Sequence, residues 1–171
     1  ALNQRVAKLV NNQVVEKYLW LNLTTLLATL HANDTPKQVF HYSSGRMPYK
    51  FVQDDQSYYL HYNQVGSLRA VSDSSGSIVK QIEYDSFGQI ISDSNENFVV
   101  PFGFAGGLYD QQTKLNRFGY RDYDAKTGKW TAKDPIGFSG GDVNLYGYVL
   151  GDPVNLNDPE GTKLLLFGSY F

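Results

Sequence analysis

The chain has no cysteine, which excludes disulfide staples, a cysteine-ligated zinc and a thiol nucleophile, and leaves the redox compartment open. Its three histidines, His31, His41 and His61, are too few and too unpatterned to build a metal site, and each is expected on the surface or in a sheet. No metal and no cofactor is therefore expected. A net charge of −2, with 15 basic residues scattered along 171, lacks the clustered basic face that grips nucleic acid. Long apolar runs are missing too: the most apolar early stretch, Leu19 to Leu30, is interrupted by Asn22, Thr24 and Thr25 and is too short for a membrane span. The N-terminus carries no basic segment followed by an apolar core and a small-residue cleavage site, so no signal peptide is visible. No Gly-rich loop opens a helix with Lys-Ser/Thr, and no Ser sits in a Gly-x-Ser-x-Gly elbow with His and Asp in reach by motif.

What the chain does have is 13 Tyr, 10 Phe and 16 Gly against a single Met. This balance favours strands and tight turns over helices. Val6 to Val10 and Val14 to Trp20 read as a hairpin across Asn11-Asn12, a pair that tolerates the positive φ of a tight turn. Leu21 to Ala32 fits a strand or a short helix, and strand is the expectation. An internal repeat follows. Tyr62-Asn-Gln-Val-Gly-Ser-Leu aligns with Tyr84-Asp-Ser-Phe-Gly-Gln-Ile, with Asp73-Ser-Ser-Gly76 as a further turn between them and Tyr123-Asp-Ala-Lys-Thr-Gly128 as a looser copy. In each unit Tyr ends a strand, Asp or Asn folds onto backbone N–H groups, and Gly66, Gly88 or Gly128 takes the left-handed turn position. Stacked hairpins of this kind bury a face only with neighbours.

Asp93 to Asn97 reads as a polar loop, Val99 to Gly107 as irregular buried structure or a bulged strand, and Leu108 to Tyr120 as one more hairpin. Beyond Asp134, Asp-Pro and Gly-Gly dominate, and one short helix over Val143 to Val149 with Asp142 as N-cap is expected. The Leu-rich residues 162–171 are expected to add a strand. Arg117 and Arg121 are expected to pair with Asp122 or Asp124 across a hairpin, or alternatively to sit beside a carboxylate pair. Two Asp-Pro-x-Gly motifs, Asp134 to Gly137 and Asp158 to Gly161, flank Asp142. Turn chemistry explains each motif by itself. Two such carboxylates held together would instead share one proton, as in aspartic proteases, one serving as base and the other as proton donor.

The ordered series Arg121-Asp-Tyr-Asp, Gly128-Lys-Trp, Lys133-Asp-Pro-Ile-Gly137, Asn144-Leu-Tyr and Asp158-Pro-Glu-Gly161 resembles the Rhs repeat-associated core, and the Tyr-Asp hairpins resemble the YD repeats that precede it in bacterial Rhs proteins and in the C component of Tc toxins. The resemblance implies a mainly β fold, with stacked antiparallel hairpins forming part of a spiralling sheet or cocoon closed by an irregular Asp-Pro/Gly-rich plug. It divides the chain into hairpins at 1–97, core at 98–161 and a tail at 162–171. The implied function is a structural module that closes a shell around a toxin. The alternatives are an aspartyl self-protease using Asp134 with Asp158 or Asp142, and a cell-surface binding module. Self-cleaving relatives carry Leu after the last Gly and are cut after it. Here Thr162 follows Gly161, so this chain is expected to remain intact. The implied partners are the rest of a YD-repeat shell or its cargo, and a second copy through exposed strand edges. The implied location is secreted or cell-surface. An opening already in strand-like sequence suggests a piece of something longer.

Overall fold

The computed structural model describes residues 4–166. Nine strands form one antiparallel sheet in sequence order: β1 (Ala7–Val10), β2 (Gln13–Trp20), β3 (Leu26–His31), β4 (Pro36–His41), β5 (Lys50–Gln53), β6 (Gln56–Tyr62), β7 (Leu68–Asp73), β8 (Ile78–Tyr84) and β9 (Ile90–Asp93). The first hairpin turns at Asn11 (φ 51°) and Asn12 (φ 63°), the left-handed pair expected there. The strand expected over 21–32 begins only at Leu26. Ahead of it the Asn22 side-chain oxygen accepts from the Thr24 and Thr25 amides, and this local turn competes with strand extension.

The turns of the repeat follow one recipe. Asp85 Oδ1 accepts from the Phe87 and Gln89 amides at 2.9 Å, Asp73 Oδ1 from Ser75 and Ser77 at 2.8 and 3.0 Å, and Asn63 Oδ1 from Ser67 at 2.9 Å. The glycine that closes each turn has φ near +85°. Gly88 is doubly constrained, because a Cβ on it would fall 2.2 Å from the Phe104 ring.

Alternation puts Leu26, Phe40, Phe51, Leu60, Val71 and Ile82 on one buried face, cross-strand neighbours such as Phe40 and Phe51 meeting directly. Residues after β9 cross this face and seal it: Val100, Phe102 and Leu108 enter the same cluster. Polar contacts pin them. Gln38 Nε2 donates to the Val99 carbonyl at 2.8 Å, the Leu68 amide to the Gly103 carbonyl at 3.1 Å, and Arg46 to the Ala105 carbonyl at 3.0 Å. Asp110 takes both Arg5 and Lys8, tying β1 to the segment. Burial alone would raise its pKa. Hydrogen bonds from Lys8 and the Thr113 and Gln112 amides outweigh that and hold the carboxyl below its ordinary value.

A second, four-stranded sheet follows, from β10 (Leu108–Tyr109), β11 (Leu115–Phe118), β12 (Arg121–Asp124) and β13 (Lys129–Trp130). Its core is aromatic: Phe104, Phe118, Tyr123, Trp130 and Tyr148 pack ring against ring, Tyr123 and Tyr148 at 4.3 Å. The helix expected over Val143 to Val149 is absent. Asp142 Oδ1 accepts from the Asn144 amide and Asn144 Oδ1 from the Tyr146 amide, so two successive side-chain turns replace helical bonds. Helical backbone among the described residues is confined to 3₁₀ turns at Phe104–Gly106, Gly137–Gly140 and Val149–Gly151. The tail adds the expected strand, β15 (Leu165–Leu166), paired with β14 (Leu156–Asn157). Residues 167–171 of that expectation lie outside the described part.

Candidate functional site

Arg121 opens β12, and its side chain points inward, 4% exposed, beneath the strap formed by Asp158 to Lys163. Its guanidinium lies over the Trp130 ring at 4.2 Å and reaches four acceptors. Nε donates to the Gly161 carbonyl at 2.6 Å, one terminal nitrogen to the Leu145 carbonyl at 3.2 Å, and the other meets Asp134 Oδ2 at 2.8 Å and Asp158 Oδ2 at 3.3 Å. The two carboxylates forecast as a pair, far apart in sequence, are thus brought to one nitrogen. Of the alternatives open from sequence, the arrangement is the one in which an arginine sits beside the carboxylate pair, with the Arg121 cation between them. Of the expected hairpin ion pairs, Arg117 does meet Asp122 at 3.1 Å, whereas Arg121 serves the strap.

Each carboxylate is also anchored locally. Asp134 Oδ1 caps the Ile136 amide at 2.9 Å, as turn chemistry anticipates for Asp-Pro. Asp158 Oδ1 accepts from the Thr162 amide at 3.0 Å and the Lys163 amide at 3.1 Å. Burial pushes the Asp158 carboxyl above its ordinary pKa, against the downward pull of these amides and of Arg121. Asp142 lines the same small cavity, but its carboxylate is turned to its own loop, capping Asn144 and lying where a Cβ on Gly147 would sit.

The strap is gripped by its backbone. The Gly161 carbonyl is on Arg121, and the Thr162 and Lys163 amides are on Asp158. The Thr162 carbonyl and Asp134 Oδ2 both border Gly140, at 2.9 and 2.8 Å from where a Cβ would stand. Gly161 has φ +70°, and a Cβ there would lie 2.5 Å from the Phe118 carbonyl. The Leu-to-Thr departure at 162 therefore leaves every one of these contacts available, since none uses that side chain. Arg121, Asp134, Asp158 and Thr162 are among the residues that line a partly open cavity of about 20 Å³, room for one water molecule.

A larger cleft, about 590 Å³, lies elsewhere, along β9 and the β10–β11 hairpin. Two of its three carboxylates are committed: Asp93 forms a buried ion pair with Lys80 at 2.6 Å, and Asp124 caps Lys126 and accepts from Thr127. Gly137-Phe-Ser139-Gly-Gly141 has the letters of a nucleophile elbow. It is an exposed 3₁₀ turn, with all three histidines in the strands of the first sheet. Sequence reading missed the Lys80–Asp93 pair and the part played by Gly140. Burial of a lysine leaves no local signature, although Gly-Gly just after the first Asp-Pro motif was a signal for the latter.

The sequence profile of the Teneurin YD-shell matches residues 1–154, which ends before Asp158. Teneurin-3 of Danio rerio is 31% identical over 145 residues, 81% of this chain and 5% of that protein. Teneurin-m of Drosophila melanogaster is 38% identical over 125 residues, 70% of this chain and 4% of its own. Among solved structures, TcdB2-TccC3 superimposes with a TM-score of 0.69 at 24% identity, covering 91% of this chain and 8% of that one. The Photorhabdus luminescens Tc holotoxin pore gives 0.64 at 21% identity, covering 90% and 9%. At these identities the structural likeness shows the fold alone, and the chain spans about one twentieth of the teneurins it matches. The match over most of its length, on a fold of stacked Tyr-Asp hairpins, carries the conclusion that the chain belongs to the teneurin YD-shell family as a structural shell module.

Proposed function

We propose that this module closes a YD-repeat shell in a longer parent protein and that the shell encloses a toxin cargo, in a secreted or cell-surface setting. The observation that carries the reading is the sealed inner face: Val100, Phe102 and Leu108 pack into the cluster of the nine-stranded sheet, so the chain that follows the last hairpin caps the ribbon. At the opposite end no strand among the described residues pairs with the outer edge of β1, and Val6, Leu9, Val15, Leu19 and Leu21 stand 46–68% exposed around it. In a shell, a preceding hairpin covers both edge and apolar side chains. The outward-facing amides of β1, which the ladder with β2 does not engage, are therefore expected to exchange hydrogen rapidly in this 171-residue chain and to become protected in the longer parent. Equal protection in the two would remove the reading.

A second reading, self-cleavage, is favoured by the disposition of the Thr162–Lys163 bond, whose amide nitrogen is on Asp158 and whose carbonyl lies beside Gly140 and Asp134. Water would add to the Thr162 carbonyl carbon, Asp134 taking its proton. Asp158, which burial favours in the protonated form, would protonate the departing Lys163 nitrogen. The products are a Thr162 carboxylate and a Lys163 amine. On this reading the wild-type chain is isolated as residues 1–162 and Asp134→Asn as residues 1–171, by intact mass spectrometry. Full length for both leaves the closing function and removes the protease.

A further inference from the structure

We infer that Gly140 is a positioning residue for scission of the Thr162–Lys163 bond: its missing side chain is the space through which the Thr162 carbonyl approaches Asp134. The inference rests on the self-cleavage reading and names what sets its geometry. Gly140 ends the 3₁₀ turn Gly137–Gly140, and its neighbours explain themselves by backbone. Gly137 and Gly141 have φ of +60° and +92°, and an added Cβ on either meets nothing within 4 Å. Gly140 is the reverse case. Its φ lies outside the left-handed range, so any residue fits the backbone, yet a Cβ would stand 2.8 Å from Asp134 Oδ2 and 2.9 Å from the Thr162 oxygen.

Both of those atoms belong to groups that are held in place. Asp134 is fixed by Arg121 and by the Ile136 amide, and Thr162 by its own amide on Asp158. A methyl group at 140 must displace one of them, and the partners that hold each leave little room for it to give way. Gly103, Gly107 and Gly147 are likewise crowded glycines without a positive φ, and what sets Gly140 apart is that the oxygens converging on it belong to Asp134 and to the carbonyl of the Thr162–Lys163 bond. A positioning requirement explains glycine at 140, and a turn requirement does not.

Two comparisons test it. Scission in Gly140→Ala, followed by intact mass of samples taken at intervals from the start of synthesis, is expected to be about tenfold slower than in wild type, corresponding to about 1.4 kcal/mol on the barrier, with an unchanged melting temperature. Equal rates overturn the inference. In the uncut Asp134→Asn background, adding Gly140→Ala is expected to speed hydrogen exchange about tenfold at the Thr162 and Lys163 amides alone. Unchanged exchange there counts against the inference, as does faster exchange spread through β11, β12 and β13, which would mean a loosened fold. If the wild-type chain proves uncut, the self-cleavage reading falls by itself, and this exchange comparison still decides whether Gly140 positions the strap.

Discussion

Arg121→Ala is expected to cost about 3–5 kcal/mol at pH 7, a large share of the roughly 5–15 kcal/mol that holds an ordinary domain folded. Several effects of one sign combine. The Gly161 and Leu145 carbonyls lose their donor, Trp130 loses its cation, and Asp134 and Asp158 are left as buried carboxylates facing one another without a countercharge. The carboxylates set a pH signature. Burial already raises the Asp158 pKa with Arg121 present, and without the cation it rises further. A carboxyl whose folded pKa lies above its unfolded value near 3.9 contributes its full stability below that pH and loses it as pH rises through the folded value. The deficit of Arg121→Ala, measured by urea unfolding, is therefore expected to be smaller at pH 4 than at pH 7. Arg121→Met, which restores bulk but no charge, should show the same trend. A loss below 1 kcal/mol, or a deficit that grows on acidification, would rule out the shared-cation arrangement.

Phe102→Ala is the second large effect, about 3–5 kcal/mol, seen as a drop in melting temperature of about 2–4 °C per kcal/mol. The ring is 2% exposed, edge-on to Phe40 at 5.1 Å, and belongs to the cluster shared with Leu26, Phe51 and Val71. The surrounding wall is a hydrogen-bonded sheet that cannot collapse into the space, so the cavity penalty adds to the lost burial. Ile91, 66% exposed on the edge strand β9, is the matched control, and Ile91→Ala should change stability by less than about 0.5 kcal/mol. If Phe102→Ala were equally mild, residues 98–109 would not be what seals the ribbon, and the closing function would lose its support.

Much of this fold was readable along the chain because its rules are local. A turn made by Asp85 Oδ1 on two amides, followed by Gly88 with positive φ, draws on residues within five positions, so the 22-residue offset of the repeat was visible as spacing. Asn11-Asn12 was readable for the same reason. Reading failed where two local rules compete. Asx-type turns at Asn22 and Asp142 defeated a strand start and a helix, and periodicity does not rank a side-chain cap against a backbone ladder. The candidate site was half visible: the Asp-Pro pairs advertised Asp134 and Asp158. That they converge on Arg121, while Asp142 turns away, depends on a chain reversal no spacing encodes.

The sequence alone determined the hairpin series, the turn residues and the alternation that makes one sheet face apolar, since each follows from steric and hydrogen-bonding preferences within a few residues. Tertiary structure decided that the segment after β9 seals that face. It also decided that one buried guanidinium must hold two carboxylates and the strap, because a charge removed from water takes whatever partners packing brings within reach, however distant in the chain.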